Sequence, residues 1–195
     1  MTFCIKTRTA ANDLLIPSEV NQMNIAITGQ PGSGKSTLVQ RLTQALAWKS
    51  SGFRTYPYEI SGKKRGYYLH SLISLPGQTN DLPISEIMAS GQSRGIAETF
   101  RTLGTKCLQQ TLHSTSDCII MDEIGRFEQN VPEFLHAVRA ILNQHHKPVF
   151  IVLKKEPIPF VLEIKERSDC IHIDLDIVDR EEAYKMLLTK LEVRK

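Results

Sequence analysis

Short apolar runs alternate with longer stretches of helical spacing along most of the chain. Asn24–Thr28 (NIAIT), Cys118–Glu123 (CIIMDE) and Pro148–Leu153 (PVFIVL) are apolar on successive residues, and Cys170–Asp174 forms a further short run. Strands that are apolar on both faces are typical of a parallel sheet covered on both sides. The pattern therefore predicts an α/β fold with a mostly parallel sheet and helices on both faces.

Helices are predicted where apolar residues recur every three or four positions. They span about residues 36–50, 94–113, 131–144, 157–167 and 180–191. Asp179 is expected to cap the last helix, because its carboxylate can accept hydrogen bonds from free backbone N–H groups. Residues 75–91 contain Pro76-Gly77 and several polar side chains, and we predict that most of this segment is a surface loop.

A β-hairpin is predicted after the first helix. Gly52–Ser61 and Gly66–Ser74 are rich in β-branched and aromatic residues, and the polar segment Gly62–Arg65 separates them. Pro57 has no backbone N–H to donate, which indicates that its strand lies at an edge or is bulged.

The first 22 residues differ from the rest of the chain, because they show no clear period. We predict that residues 1–22 are an appendage, either disordered or upstream of a true translation start at Met23. Residues 23–195 are predicted to form a single domain, since this length suffices for one α/β domain with a hydrophobic core.

Composition narrows the class of protein only a little. Hydrophobic residues make up 41% and charged residues 23%, which is typical of soluble globular proteins. The net charge of +3 gives no independent argument for nucleic-acid or membrane binding. No run approaches the length of a membrane span. The four cysteines lack metal-ligand spacing, which favours reduced thiols and a cytoplasmic location.

The most specific motif lies between the first strand and the first helix. Gly29–Ser36 reads GQPGSGKS and matches G-x-x-x-x-G-K-S, the Walker A phosphate-binding loop, in its required setting. Its glycines allow positive φ, so that backbone N–H groups form an anion nest at a helix N-terminus. Lys35 is expected to contact the β and γ phosphates, and Ser36 to ligate Mg²⁺. The loop residues predicted to bind nucleotide are Gly29, Gln30, Pro31, Gly32, Ser33, Gly34, Lys35, Ser36 and Thr37.

Two acids end the buried strand at 118–123. Burying a carboxylate is costly unless something binds it, and the carboxyl edge of a parallel sheet is where a phosphate and its Mg²⁺ would lie. Asp122 is expected to hold Mg²⁺, directly or through water, and Glu123 to orient the attacking water. Glu directly after Asp favours a hydrolase over a nucleotide kinase, and suggests another strand between the first strand and this one.

The residues around the acidic pair resemble a known family. Asp122–Glu128 (DEIGRFE) is similar to the Asp-Glu-Ile-Gly-x-Met-Glu signature of the THEP1-type nucleoside-triphosphatase family. The hairpin, Phe100–Gly104 (FRTLG) and Val131–Phe134 (VPEF) are similar as well, and the resemblance covers about residues 24–190. The chain departs from the family at Phe127, where Met is usual. It also departs at residues 179–181, where Asn-Arg-Asp is usual, and residues 75–93 match poorly.

The resemblance implies a P-loop NTPase three-layer sandwich, in which a mostly parallel sheet carries helices on both faces and a β-hairpin follows the first helix. It implies hydrolysis of nucleoside triphosphates with little preference for the base. It also implies that Cys118–Gly125 lies against the nucleotide, which adds Ile124 and Gly125 to the expected contacts.

An arginine is expected to stabilise the charge that develops on the γ-phosphate during hydrolysis. Arg126 is the leading candidate for this catalytic role, because it follows the acidic pair by three residues. The other candidates are Arg94, Arg101, Arg167 and Arg180.

Three functions stay open from the sequence. The leading one is Mg²⁺-dependent hydrolysis of ATP, GTP and other nucleoside triphosphates to the diphosphate and phosphate. The second is a nucleotide or small-metabolite kinase, in which residues 75–101 form a lid that carries Arg94 and Arg101. The third is a nucleotide-gated adaptor with slow turnover and an unknown protein partner. The chain is expected to be a monomer or weak oligomer, and nucleic-acid binding is not indicated.

Overall fold

Runs of β-branched and aliphatic residues form the strands of the fold. The computed structural model describes residues 23–144 and 146–193, so the predicted appendage at 1–22 lies outside the described residues. The described strands are β1 (Asn24–Thr28), β2 (Ser50–Ile60), β3 (Lys63–Ser71), β4 (Asp81–Ile87), β5 (Ser93–Gly95), β6 (Cys118–Ile124), β7 (Val149–Leu153) and β8 (Cys170–Asp174). They form one sheet in the order β5-β4-β3-β2-β6-β7-β1-β8.

The apolar strands lie at the centre of the parallel part of this sheet. β1 pairs in parallel with β7 and β8, and β6 pairs in parallel with β2 and β7. Every residue of β1 and β7 is buried, as expected for strands with both faces covered. β7 lies between β1 and β6, which confirms the predicted additional strand.

Helices cover both faces of the parallel strands. The described helical segments are α1 (Lys35–Ala45), α2 (Ala97–Thr99), a π-helical turn (Phe100–Gly104), α3 (Thr105–Leu112), α4 (Pro132–Asn143), α5 (Pro159–Lys165) and α6 (Arg180–Glu192). One buried cluster joins the sheet to α3, α4 and α5, and a second joins its other face to α1 and α6. The predicted three-layer α/β sandwich is therefore confirmed.

The β-hairpin forms, with a shorter turn than predicted. β2 and β3 pair antiparallel, and the turn is Ser61–Gly62, with φ of 53° and 72°. Two left-handed residues match the twist of a hairpin, so Lys63–Arg65 belongs to β3 rather than to the turn. Pro57 lies where β2 pairs only with β3, beside a bulge at Tyr58/Glu59, as its missing N–H indicated.

The prediction of a loop over residues 75–91 missed a strand at its centre, although the residues on either side of that strand form loops and turns. This segment contains β4, which pairs antiparallel with β3, and β5 pairs with β4. Arg94 accordingly lies in β5, and the helical region begins at Ala97. The strand was missed because Pro83 and exposed polar residues obscure its alternation, so that only pairing with β3 defines it. Two parts of the predicted lid at residues 75–101, β4 and β5, thus belong to the sheet.

The first helix is shorter than predicted. It ends at Ala45 rather than near Ser50, and Ala47 adopts a left-handed conformation with φ of 53°. The reversal at Ala47 directs the chain into β2, which begins at Ser50. Asp179 caps α6 as predicted, since its side chain accepts hydrogen bonds from the N–H groups of Glu181 and Glu182.

Candidate functional site

The phosphate-binding loop connects β1 to α1 at the carboxyl edge of the sheet. Gly29, Gly32 and Gly34 have φ of 145°, 81° and 91°, the positive values predicted for them. These conformations favour glycine and turn successive backbone N–H groups toward a common centre. Because Gly34 immediately precedes α1, the loop also receives the partial positive charge of the helix N-terminus.

Lys35 lies inside this loop rather than in solvent. Its side-chain ammonium donates to the carbonyl oxygens of Gly29 and Gln30, at 2.9 Å each, and only 7% of the residue is exposed. Burial lowers the pKa of Lys35, while nearby carboxylates, Glu123 foremost, partly oppose that shift. The Lys35 ammonium is thus held by the backbone of the loop itself.

Ser36 and Asp122 come together although 86 residues separate them. Ser36 lies in the first turn of α1 and Asp122 lies near the end of β6. The Ser36 hydroxyl donates to Asp122 Oδ1 at 2.9 Å. Only 3% of Asp122 is exposed. Burial raises the pKa of Asp122 to about 6, and the hydrogen bond from Ser36 acts in the opposite direction. A buried carboxylate of this kind is stabilised by a cation.

The donor set at Ser36 and Asp122 fits Mg²⁺. Both offer oxygen atoms, and Mg²⁺ is usually held by one or two protein ligands, with water and phosphate oxygens completing the octahedron. Across residues 23–144 and 146–193, no group of three or more His, Cys, Asp and Glu side chains could hold a metal.

Glu123 stands at the edge of the same site in an unusual conformation. Its φ of 67° is in the left-handed region, which few non-glycine residues adopt. The ammonium of Lys154 lies 3.6 Å from Glu123 Oε2. Residues with such backbone geometry often lie at functional sites, where the surrounding structure holds them in place.

The candidate arginines have different environments in the structure. Arg126 is exposed, and its guanidinium carbon lies 5.1 Å from the ring centroid of Phe127. Its catalytic role stays a prediction. Of the other candidates, Arg94, Arg101 and Arg167 pair with nearby carboxylates.

Arg180 approaches the phosphate-binding loop. A Cβ atom at Gly34 would lie 2.7 Å from Arg180 Nη1, so the guanidinium packs directly against the glycine. Because Arg180 is the first residue of α6, the turn after β8 is what brings it to the loop.

Two charged residues that follow strands were missed by the sequence analysis. Lys154 follows β7, and Asp176 follows β8. Asp176 Oδ1 accepts a hydrogen bond from the N–H of Gln30 at 2.9 Å, and its Oδ2 pairs with Lys155 at 2.8 Å. In the sequence, each is only a charged side chain that follows a strand. Their position at the carboxyl edge near the site can be deduced only once the strand order is known.

Glu128 was also missed, although it belongs to the DEIGRFE segment. Only 1% of it is exposed, and it accepts a hydrogen bond from the N–H of Gly125. This contact closes the turn after β6. Burial raises the pKa of Glu128 to about 7, although the hydrogen bond from Gly125 favours the charged form.

Glu128→Gln is expected to flatten the pH dependence of stability between pH 4.5 and about 7. In that range the native state keeps a proton that the unfolded state has lost, so the free energy of unfolding falls as pH rises. The contribution of Glu128 is at most about 3 kcal/mol. Urea unfolding at several pH values tests this, with the exposed Glu166→Gln as control. An unchanged slope in Glu128→Gln would contradict the assignment.

Comparison with known proteins identifies the family to which this chain belongs. A family model described as NTPase matches residues 24–188, which include the loop, both acids and all the strands. The chain belongs to this NTPase family. The family prediction is therefore confirmed, and with it the prediction of an enzyme of the nucleoside-triphosphatase class.

Relatives of this NTPase align over most of its length. Nucleoside-triphosphatase THEP1 of Thermotoga sp. (strain RQ2) is 30% identical over 173 residues, which are 87% of this chain and 96% of that protein. Nucleoside-triphosphatase THEP1 of Methanosarcina acetivorans is 32% identical over 139 residues, which are 67% of this chain and 75% of that protein.

Solved structures show the same fold as this NTPase. The crystal structure of THEP1 from Aquifex aeolicus has a TM-score of 0.68 at 24% identity and covers 87% of this chain and 99% of its own. The solution structure of a human cancer-related nucleoside triphosphatase has a TM-score of 0.69 at 22% identity, with coverage of 89% and 99%.

Proposed function

We propose that the chain hydrolyses nucleoside 5'-triphosphates to the diphosphate and phosphate in a Mg²⁺-dependent reaction with low base specificity. The observation that carries the proposal is the Ser36–Asp122 hydrogen bond of 2.9 Å. It joins the phosphate-binding loop to the acidic end of β6, so that a phosphate site and a candidate cation site lie side by side.

The loop residues supply phosphate binding. Backbone N–H groups of Gly29–Thr37 and the ammonium of Lys35 would contact the phosphate oxygens, and Ile124 and Gly125 would lie beside the nucleotide. Ser36 and Asp122 would hold Mg²⁺, which when bound neutralises charge on the β and γ phosphates. These groups recognise the triphosphate rather than the base, which supports a broad substrate range.

Glu123 would orient the attacking water and accept its proton as the oxygen–phosphorus bond forms. Its carboxylate is partly exposed and is the carboxylate with the largest effect on Lys35, which agrees with a position beside the γ-phosphate. Arg126 would add a positive charge from the turn after β6. Its guanidinium lies against the ring of Phe127.

Low base specificity predicts similar kinetics for ATP, GTP, CTP and UTP. With Mg²⁺ and no acceptor, kcat/KM should agree within about tenfold, since a pocket that hydrogen-bonds its base discriminates by about 10⁴ or more. The measurement is phosphate release at initial rate for each nucleotide. Hydrolysis of a single nucleotide would contradict the proposal of broad specificity.

The location, the oligomeric state and the protein partner of the chain stay predictions. Among the described residues, no helix combines the length and the apolar character that a membrane span requires. The cysteine pattern supports a cytoplasmic location. A monomeric or weakly oligomeric state and a protein partner are proposed alongside it.

A further inference from the structure

Lys154 occupies a central position at the carboxyl edge of the sheet. It follows β7, and β7 lies between β1, which leads into the phosphate-binding loop, and β6, which ends in the acidic pair. Its backbone N–H donates to the carbonyl oxygen of Ile124 at 2.8 Å. The backbone of Lys154 is therefore tied to the residue directly after Glu123.

The side chain of Lys154 returns toward Glu123 across Gly125. A Cβ atom at Gly125 would lie 2.8 Å from Lys154 Cδ and 3.1 Å from its Cγ. Glycine at this position thus leaves room for the lysine stem. The stem ends with its ammonium 3.6 Å from Glu123 Oε2.

Aromatic rings border the Lys154 ammonium on its other sides. Its nitrogen lies 5.3 Å from the ring centroid of Phe127 and 5.6 Å from that of Tyr67, both within cation–π range. The side chains of Lys154 and Glu123 are 26% and 28% exposed. Because both are largely shielded from solvent, their attraction is screened less than that of a surface pair.

We propose that Lys154 is a positioning residue that holds the Glu123 carboxylate toward the attacking water. The inference rests on the proposed function of Glu123. It also accounts for the glycine of the DEIG segment, because Gly125 leaves the path for the stem of Lys154. Of the two lysines that interact electrostatically with Glu123, Lys154 is the one within ion-pair distance of its carboxylate.

Lys154→Met removes the charge and keeps most of the stem. We expect kcat for phosphate release from MgATP to fall about 10–100-fold, because a misplaced water-directing group loses alignment in the transition state. KM, and the Kd for a non-hydrolysable ATP analogue, should stay within about threefold. Lys154→Arg should recover part of kcat. Lys106→Met, at an exposed position on α3, is the matched control and should match the unmodified chain.

Gly125→Ala provides a second variant that leaves the charge in place. The added methyl group would displace the lysine stem, so kcat should fall as in Lys154→Met. Thermal unfolding of each variant shows whether a loss of rate reflects a loss of fold. A fully active, folded Gly125→Ala would contradict the path assigned to the stem and overturn the proposal.

A double-mutant cycle separates positioning from independent catalysis. In a Glu123→Gln background, Lys154→Met should change the single-turnover rate less than about twofold, since the two residues act as a unit. A full Lys154→Met effect in the Glu123→Gln background would overturn the positioning role. An unchanged or increased kcat in the Lys154→Met single variant would also overturn it, whether or not KM is raised. If Glu123→Gln alone were fully active, the proposed role of Glu123 would itself fail, which is a different result.

Discussion

Glu123→Gln is expected to lower kcat for phosphate release by about 10²–10⁴-fold, the range typical for loss of a general base. Glutamine keeps the shape of the side chain but cannot accept a proton from the attacking water. Nucleotide affinity should change little, because the proposed phosphate contacts come from the loop at 29–37. Single-turnover phosphate release and a nucleotide-binding titration measure the two quantities separately.

The control for this experiment is Glu166→Gln, which removes an exposed carboxylate from the end of α5. It should leave both quantities unchanged. Full turnover in Glu123→Gln would show that another group directs the water. Loss of nucleotide binding together with turnover would instead assign Glu123 to substrate binding.

Lys35→Ala is expected to weaken nucleotide binding and turnover together, with a loss of about 10²–10³-fold in kcat/KM. Lys35 contributes the only full positive charge within the loop at 29–37, and its ammonium also donates to the carbonyl oxygens of Gly29 and Gln30. The Kd from a fluorescent-nucleotide titration and kcat/KM from phosphate release should deteriorate in parallel.

Lys49→Ala is the matched control for Lys35→Ala, because Lys49 is exposed beyond the far end of α1. It should bind nucleotide as the unmodified chain does. A Lys35→Ala variant with unchanged Kd would place the phosphate site elsewhere and remove the basis for the proposed mechanism.

The loop and the acid pair could be predicted from sequence because their signals are local. Gly29–Ser36 carries its whole pattern within eight residues, and the apolar run before Asp122 shows that a buried strand ends in a carboxylate. The contact between Ser36 and Asp122 then follows from the strand order, since parallel strands present their carboxyl ends at one edge. The position of β7 between β1 and β6 is consistent with that expectation.

The antiparallel extension of the sheet could not be predicted in the same way. β4 is a strand because it pairs with β3, and its own composition, with Pro83 and exposed polar residues, is typical of a loop. Strand identity of this kind depends on cross-strand neighbours more than on local propensity. The sequence analysis therefore missed β4 and β5 within the segment predicted as a lid.

The pairing of Glu123 with Lys154 could not be predicted from the sequence. Arg126 is predicted to contact the γ-phosphate because it closely follows the acidic pair, whereas Lys154, 31 residues beyond Glu123, pairs with the Glu123 carboxylate. No motif marks a single lysine after a strand. Only the sheet order brings it across Gly125 to the acid.

The central claim is that the chain alone transfers the γ-phosphoryl group of a nucleoside triphosphate to water when Mg²⁺ is present. Product analysis of γ-labelled ATP, with the protein, Mg²⁺ and no acceptor, tests this most directly. We predict one inorganic phosphate for each ATP consumed, and no reaction when Mg²⁺ is chelated. Label that stays in ATP until a nucleoside, nucleotide or metabolite acceptor is added, and then appears in that acceptor, would contradict the account.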